Sequence, residues 1–295
     1  MPADDRVDRG CDLCGSLENK LITVEFSYPI VLCSKCGFIY VSSIPLATNG
    51  KVVDQIYGGT EDEIEDIRQR YQAVTVSLLD ELEKYATGGN LLDVGCGYGF
   101  FLKAAQTRGW NVFGTDFSEI AVDHAKRLTG SSNFLISDVC RDLFGNVRFD
   151  AINLTNVLEH VPSPTETLQA CRSLLLPGGI LTIRVPNMTF SSIRHRLEFF
   201  LKAMRVREGA GEHCYLSSPP PFHLSGFSGS TLRQLFRKVG LETVEIKPSK
   251  LSSVADESFV FRYFESLFSV VYFGSGRSVN LSPTLLAIAK ASEEA

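Results

Sequence analysis

Seven residues, Asp93-Val94-Gly95-Cys96-Gly97-Tyr98-Gly99, constrain this chain more than any others. They follow the apolar pair Leu91-Leu92, and Gly88-Gly89-Asn90 breaks whatever helix precedes that pair. Behind them, Phe100, Phe101, Leu102, Ala104 and Ala105 recur at helical spacing. A short strand delivering an acid at its carboxyl end, a glycine turn and a helix let a backbone pass close to a ligand, because glycine has no Cβ and tolerates positive φ. The segment reads as a nucleotide-type site.

The dinucleotide fingerprint does not fit. It needs glycines at the first, third and sixth positions, and counting from Gly95 the sixth is Phe100. A nicotinamide oxidoreductase is disfavoured on that ground. The carboxylate of Asp93 would also repel a pyrophosphate, whereas it suits a sulfonium ligand with an α-amino group. Downstream, Trp110 to Asp116 reads as a second strand ending in an acid 23 residues after Asp93, where a carboxylate can accept both ribose hydroxyls. Singly, an acid at a strand end is as often a turn or cap residue. The weight rests on the joint pattern.

Five segments carry a resemblance: Asp93 to Gly99, Gly114-Thr115-Asp116, Ile136-Ser137-Asp138-Val139, Phe149 through Val157-Leu158-Glu159-His160-Val161, and Leu176-Pro177-Gly178-Gly179. In order and spacing they resemble the successive motifs of class I S-adenosylmethionine-dependent methyltransferases, over residues 70 to 291. The resemblance implies an α/β, Rossmann-like, seven-stranded sheet, mostly parallel with the last strand antiparallel and helices on both faces. It also implies residue roles. Asp93, through the loop of Gly95, Cys96, Gly97 and Gly99, would hold the amino-acid end of S-adenosylmethionine, and Asp116, with Phe117 beside it, the ribose. Asp138 and Val139 would meet the adenine, and Asn156 and Val157 would close the other side.

Near the amino terminus, Cys11-Asp-Leu-Cys14-Gly15 and Cys33-Ser-Lys-Cys36-Gly37 are two knuckles separated by 18 residues, a four-cysteine zinc-ribbon spacing. Four thiolates leave no open coordination position, so the reading is a structural Zn²⁺, with disulfides, an iron centre or a redox dithiol as alternatives. Ribbon followed by methyltransferase is similar to the order in sugar C-methyltransferases acting on nucleotide-linked deoxysugars. Those usually carry a further carboxyl-terminal domain for which this chain is too short, which weakens the sugar-specific reading.

With 295 residues, 44% of them hydrophobic, the chain can bury one α/β core and a small extra unit. The expected division is a ribbon at 1–45, a linker and helical segment at 46–87, and the methyltransferase domain at 88–295. Within that domain lie a substrate cap at 186–228 and an aromatic insertion at 251–280. A net charge of −5 offers no basic stripe, so no nucleic-acid partner is expected and a small-molecule or glycan-linked acceptor is. The charged amino terminus and the lack of a long apolar run predict a cytoplasmic protein without a transmembrane segment. An oligomer stays open.

Methyl transfer from a sulfonium is an in-line displacement that needs alignment and removal of a proton. Histidine is the first candidate base. His160 follows the fourth strand at the carboxyl-end crevice of the sheet, and His223 lies behind Pro219-Pro220-Pro221 in the cap. Either is also able simply to cap a helix or satisfy a carbonyl. Glu159 can pair with His160 or bind a divalent ion, in the manner of some quinone-pathway O-methyltransferases that this segment resembles. Tyr57 and Tyr71 can cover the cofactor from the amino-terminal side, although a tyrosine in a helix is more often a core or interface residue. The aromatic run Phe259 to Phe273 is too short to span a bilayer, and reads as a helix packed on the sheet or a partner subunit, a lid over an apolar acceptor, or a membrane-surface contact. Together these features predict a methyltransferase with O-methylation favoured. The rivals are C-methylation of a nucleotide sugar and a non-catalytic scaffold whose ribbon binds a protein.

Overall fold

Runs of buried aliphatic residues separated by capped helices give this chain its sheet. The computed structural model describes residues 6–45, 57–137, 144–203, 215–216, 223–250, 259–277 and 280–293. Strands β1 (Arg6–Asp8), β2 (Asn19–Glu25), β3 (Tyr28–Cys33), β4 (Ile39–Val41) and β5 (Ser43–Pro45) come first. Helix α1 (Glu61–Leu82) then leads into β6 (Asn90–Val94), α2 (Phe100–Thr107), β7 (Asn111–Asp116), α3 (Glu119–Thr129), β8 (Phe134–Ile136), β9 (Phe149–Thr155), α4 (Pro164–Leu174) and β10 (Leu175–Pro186). The remainder is α5 (Met188–Ala203), β11 (Ser225–Gly226), α6 (Gly229–Val239), β12 (Leu241–Pro248), α7 (Phe259–Gly274) and β13 (Thr284–Ala291).

The large sheet has seven strands in the order β12-β13-β10-β9-β6-β7-β8. Strands β6 to β10 pair in parallel, and β13 runs against both β10 and β12. This is the expected class I architecture. Side chains alternate across each strand, so Leu91, Ala151 and Ile180 pack with α1, α2 and α3, while Leu92, Ile152 and Leu181 pack with α4 and α6. The chain moves outward from β6 to β8, then returns to β9 on the other side of β6. That reversal opens a crevice beyond the carboxyl end of β6, where open α/β sheets bind ligands.

Local chemistry sets the helix ends. Thr60 and Glu63 form a capping box at α1, Ser118 caps α3, Ser163 caps α4 ahead of Pro164, and Ser228 caps α6. One boundary departs from the turn signal of Pro177-Gly178-Gly179, which on its own would end a helix there and start the strand at Ile180. Helix α4 stops at Leu174, and β10 already pairs at Leu175 with Phe149. A bulge between Leu175 and Ile180, with Gly178 at φ 75°, absorbs the proline-glycine turn inside the strand.

At the amino terminus β2, β3 and β4 make an antiparallel sheet, and β1 pairs with β5. The fourth strand of that sheet is β11, drawn from within the predicted cap, with Ser225 opposite Tyr40 and Gly226 opposite Ile39. Phe38, Tyr40 and Phe227 are buried in the same core cluster, the Phe38 and Phe227 rings 5.5 Å apart. Asp12 reaches the first turn of α4, where its carboxylate accepts from Ser163 Oγ (2.8 Å), Thr165 N (2.8 Å) and Thr165 Oγ1 (2.6 Å). An acid at a helix N-terminus is favoured by the helix dipole.

Gly99, at φ 81° in the turn before α2, shows how tightly the loop is held, since a Cβ there would lie 2.7 Å from Ala125 Cβ. Gly99→Ala is expected to lower the unfolding free energy by about 2 kcal/mol, read as a lower denaturant midpoint.

Candidate functional site

The carboxyl end of β6 carries Asp93, 4% exposed. In the strand register it lies beside Asn153 of β9, which lies beside Thr182 of β10. Asn153 Nδ2 donates to Asp93 Oδ1 (2.7 Å), and Thr182 Oγ1 donates to Asn153 Oδ1 (2.9 Å). Burial pushes the Asp93 carboxyl up to about 7, against the bond from Asn153, and the nearby Asp116 adds to the rise.

The loop after Asp93 turns on three left-handed glycines, Gly95 (φ 70°), Gly97 (φ 50°) and Gly99. Gly95 N and Cys96 N donate to the carbonyl of Thr115, and Gly97 N donates to Asp116 Oδ2 (2.8 Å). Asp116 Oδ1 accepts from Ser118 N (3.0 Å). The two acids foreseen from the sequence therefore meet across one glycine loop. Val157 packs on Gly95 so closely that a Cβ there would lie 2.4 Å from Val157 Cγ2. Tyr57 lies against Gly97, its ring 5.1 Å edge-on from that of Tyr98, and Tyr98 Oη donates to the Tyr57 carbonyl (2.8 Å). Burial, reinforced by Asp116, raises the Tyr57 phenol. Cys96 is buried with its thiol raised by burial, which suits packing and not reactivity. Phe117 is exposed beside the crevice, and Asp138 and Val139 lie outside the described residues.

A second cluster gathers beyond β9. Asn156 takes a left-handed turn (φ 56°), and its Oδ1 accepts from Arg184 Nη1 (2.7 Å). Arg184 is buried at the end of β10, and its Nε donates to Ser249 Oγ (3.1 Å). Glu159 is buried, its Oε1 4.0 Å from His160 Nε2, and burial pushes its carboxyl up to about 8 although Arg184 pulls the other way. Among the described residues, Glu159 Oε2 has no hydrogen-bond partner. The rings of His160 and His223 stand 4.7 Å apart. His223 Nδ1 lies 2.5 Å from the carbonyl of Leu216, which can only accept, so Nδ1 carries the proton and the lone pair of the neutral ring lies on Nε2. Burial lowers the His223 pKa, keeping that ring neutral, against the pull of the Leu216 carbonyl. One ligand atom from each of Glu159, His160 and His223 falls within 4.8 Å of the others. The structure thus joins two histidines that the sequence could name only separately.

The four amino-terminal cysteines also converge. Cys11 Sγ lies 3.4 Å from Cys36 Sγ and Cys14 Sγ 3.5 Å from Cys33 Sγ, and all four cysteines are free. Those separations are near the edge of about 3.8 Å for a tetrahedron of thiolates around zinc, and far beyond a sulfur–sulfur bond. Gly15 and Gly37, both left-handed, let Gly15 N and Gly37 N donate to the carbonyls of Cys11 and Cys33. At Cys33, burial is outweighed by backbone N–H groups of Cys36 and Lys35, which bring the thiol down to about 7.

A family profile described as a methyltransferase domain matches residues 65–246. The chain belongs to this methyltransferase family. Among curated relatives, the ubiquinone biosynthesis O-methyltransferase of Coxiella burnetii (strain Dugway 5J108-111) is 36% identical over 109 residues, covering 36% of this chain and 47% of that protein. The enzyme of the same name from Paraburkholderia phymatum is 28% identical over 174 residues, 55% of this chain and 68% of that protein. The methyltransferase chain thus spans about half the length of the first of these relatives. Its fold is similar to that in the complex between the Haloferax volcanii Trm112 methyltransferase activator and a methyltransferase (TM-score 0.53, 18% identity, 77% of this chain and 94% of that one). It is also similar to the plantazolicin methyltransferase BamL in complex with a triazolic desmethylPZN analog and SAH (TM-score 0.50, 16% identity, 83% and 96%).

Asn153, Thr182 and Arg184 were not legible as site residues in the sequence of this methyltransferase. Asn153 and Arg184 carry one legible signal, a polar residue inside an otherwise apolar strand.

Asp93 and Glu159 hold protons more tightly folded, at about 7 and about 8, than at their ordinary values of 3.8 and 4.5. The folded chain therefore binds more protons than the unfolded one in that interval. The stability these groups contribute is complete below about pH 4 and is lost as pH rises through about 7 and 8. Asp93→Asn is expected to flatten the decline of the ligand-free thermal midpoint between about pH 5 and 8.

Proposed function

We propose that this chain is an S-adenosylmethionine-dependent methyltransferase that methylates an oxygen of a small-molecule or glycan-linked acceptor, with a structural Zn²⁺ in its ribbon. One observation carries the reading: a buried, hydrogen-bonded acid and a second acid flank a left-handed glycine loop at the switch point of the sheet. Gly97 N and Ser118 N donate to the two oxygens of Asp116 and so fix the carboxylate at the end of β7, where it can face a ribose. Asp93 sits where the amino group of a cationic ligand would favour its ionised form. Tyr57 and Val157 border the loop from either side and would exclude water from the donor. Four converging thiols fit a closed tetrahedral ion that supports the fold and does not activate water.

S-adenosylmethionine supplies an electrophilic methyl group on a sulfonium. The protein then has to orient the acceptor and take up its proton. His223, held neutral with its lone pair on Nε2, suits the uptake of a hydroxyl proton, and His160, less buried, suits its passage to water. Glu159 beside them can ionise to balance an imidazolium. Names of the curated relatives favour oxygen as the acceptor atom. No helix among the described residues is long and apolar enough to cross a membrane.

A second reading rests on the spacing of Glu159, His160 and His223 and on the unpartnered Glu159 Oε2, which suit a divalent cation that would orient the acceptor oxygens.

Calorimetry is expected to detect S-adenosylhomocysteine binding by the wild type. Asp93→Ala and Asp116→Ala should each weaken it at least about tenfold, and wild-type affinity in both variants would sink the proposal. Turnover can be followed as release of S-adenosylhomocysteine from a panel of phenolic, catecholic and sugar hydroxyl acceptors. With an accepted substrate, His223→Gln is expected to lower kcat by about a hundredfold and leave S-adenosylhomocysteine affinity unchanged. Stimulation by added Mg²⁺ that disappears in Glu159→Gln would favour the cation.

A further inference from the structure

The ribbon meets the segments that carry His160 and His223 along β4, where β11 pairs with it and Val41 N donates to the Leu224 carbonyl (3.0 Å), and through Asp12 at α4. One ribbon side chain, Arg9, bonds to both segments at once. Arg9 lies just after β1. Its Nε donates to the carbonyl of Val41 (2.8 Å), its Nη2 to that of Leu224 (2.7 Å), and its Nη1 to that of Pro162. Val41 ends the ribbon strand β4, Leu224 follows His223, and Pro162 lies two residues beyond His160. The same segments are tied again on their far side, because Leu224 N (2.8 Å) and Ser225 N (3.2 Å) donate to the carbonyl of Glu159. One guanidinium therefore holds the ends of the two segments that carry the histidines.

Its surroundings fit that role better than a charge-pairing role. Among the described residues, no carboxylate forms an ion pair with Arg9, and its hydrogen-bond partners are three backbone carbonyls. Asp12 acts on it only through space and turns its carboxylate to α4. The guanidinium also stands 5.6 Å from the centre of the Tyr40 ring. A planar fork with five donors can reach three carbonyls in fixed directions, which a flexible ammonium cannot. The guanidinium is half-buried and attracted by Asp12 only through space, so what its three directed bonds add is geometry.

We propose that Arg9 is a positioning residue for the acceptor half of the active site: by gripping Leu224 and Pro162 from the ribbon, it sets the separation of the His223 and His160 imidazoles. This rests on the reading of Glu159, His160 and His223 as the acceptor site. The donor loop at Asp93 to Gly99 makes no hydrogen bond to Arg9, so loss of the grip should leave it intact.

The test uses full-length protein labelled with ¹⁵N at histidine, with His160 and His223 assigned by His160→Gln and His223→Gln. In Arg9→Ala the imidazole resonances of His160 and His223 should move and broaden at fixed pH. Those of His124, which lies against the donor loop at the carbonyl of Tyr98, should stay. Affinity for S-adenosylhomocysteine should remain within about twofold, as for distant uncoupled sites, and Arg9→Lys should fall between the two. With an acceptor from the panel, kcat should fall about tenfold or more while KM for S-adenosylmethionine holds. Unmoved His160 and His223 resonances in Arg9→Ala would overturn the proposal. So would an equal disturbance of His124 and of S-adenosylhomocysteine binding, which would mark Arg9 as a general support of the fold. If Arg9→Ala does not fold, Arg9→Lys decides by the same readouts, and failure of both to fold counts against the proposal. Absence of S-adenosylhomocysteine binding in the wild type would instead remove the methyltransferase reading itself.

Discussion

The hydrogen bond from Asn153 to Asp93 is the contact around which the donor half is organised. A carboxyl group placed in the dry end of a parallel sheet must be hydrogen-bonded or protonated. Here a relay of side chains across three strands, Thr182 to Asn153 to Asp93, supplies the bond from within the sheet. The relay works because the register puts those three residues side by side. It fixes one oxygen of the acid, and the glycine loop then turns around the acid with Asp116 as its second anchor. Loop, relay and switch point are thus one construction.

The half proposed to hold the acceptor has a different foundation. Its histidines sit on segments between elements, where backbone position is set by whatever grips the carbonyls and amides. The ribbon does the gripping, with Arg9 at three carbonyls, β4 along β11, and Asp12 at the first turn of α4. With the proposed ion bound, the knuckles would make a stiff base for such contacts, because coordination would fix their geometry.

Much of the donor half could be read from residues alone. Glycines that must adopt positive φ, acids at strand ends and alternation of strand and helix are local signals, and Asp93, Gly95, Gly97, Gly99 and Asp116 all carry them. The seven-stranded sheet with its antiparallel last strand followed from the family resemblance, the alternation itself indicating only a mostly parallel sheet. The cysteine knuckles were legible for a similar reason, since ligand spacing is written in the chain. The pairing of His160 with His223 was not, because it depends on a contact between residues 63 positions apart. Arg9 was invisible for the same cause: it looks like any surface arginine until the carbonyls of Val41, Pro162 and Leu224 are seen around it. The start of β10 was misjudged because Pro177-Gly178-Gly179 is a turn signal, and the strand accommodates it as a bulge.

The pairing of β11 with β4 has a consequence for how the molecule is assembled. Residues at the start of the chain finish their sheet with a strand drawn from positions 225 and 226, so the amino-terminal unit cannot mature as it leaves the ribosome. The knuckles can take up a metal early, yet the edge of β4 must wait, open, until most of the chain has been synthesised. Closing so long a loop makes this a late step, taken after the local βα units have formed. That late step would then also be the one that brings the two imidazoles together.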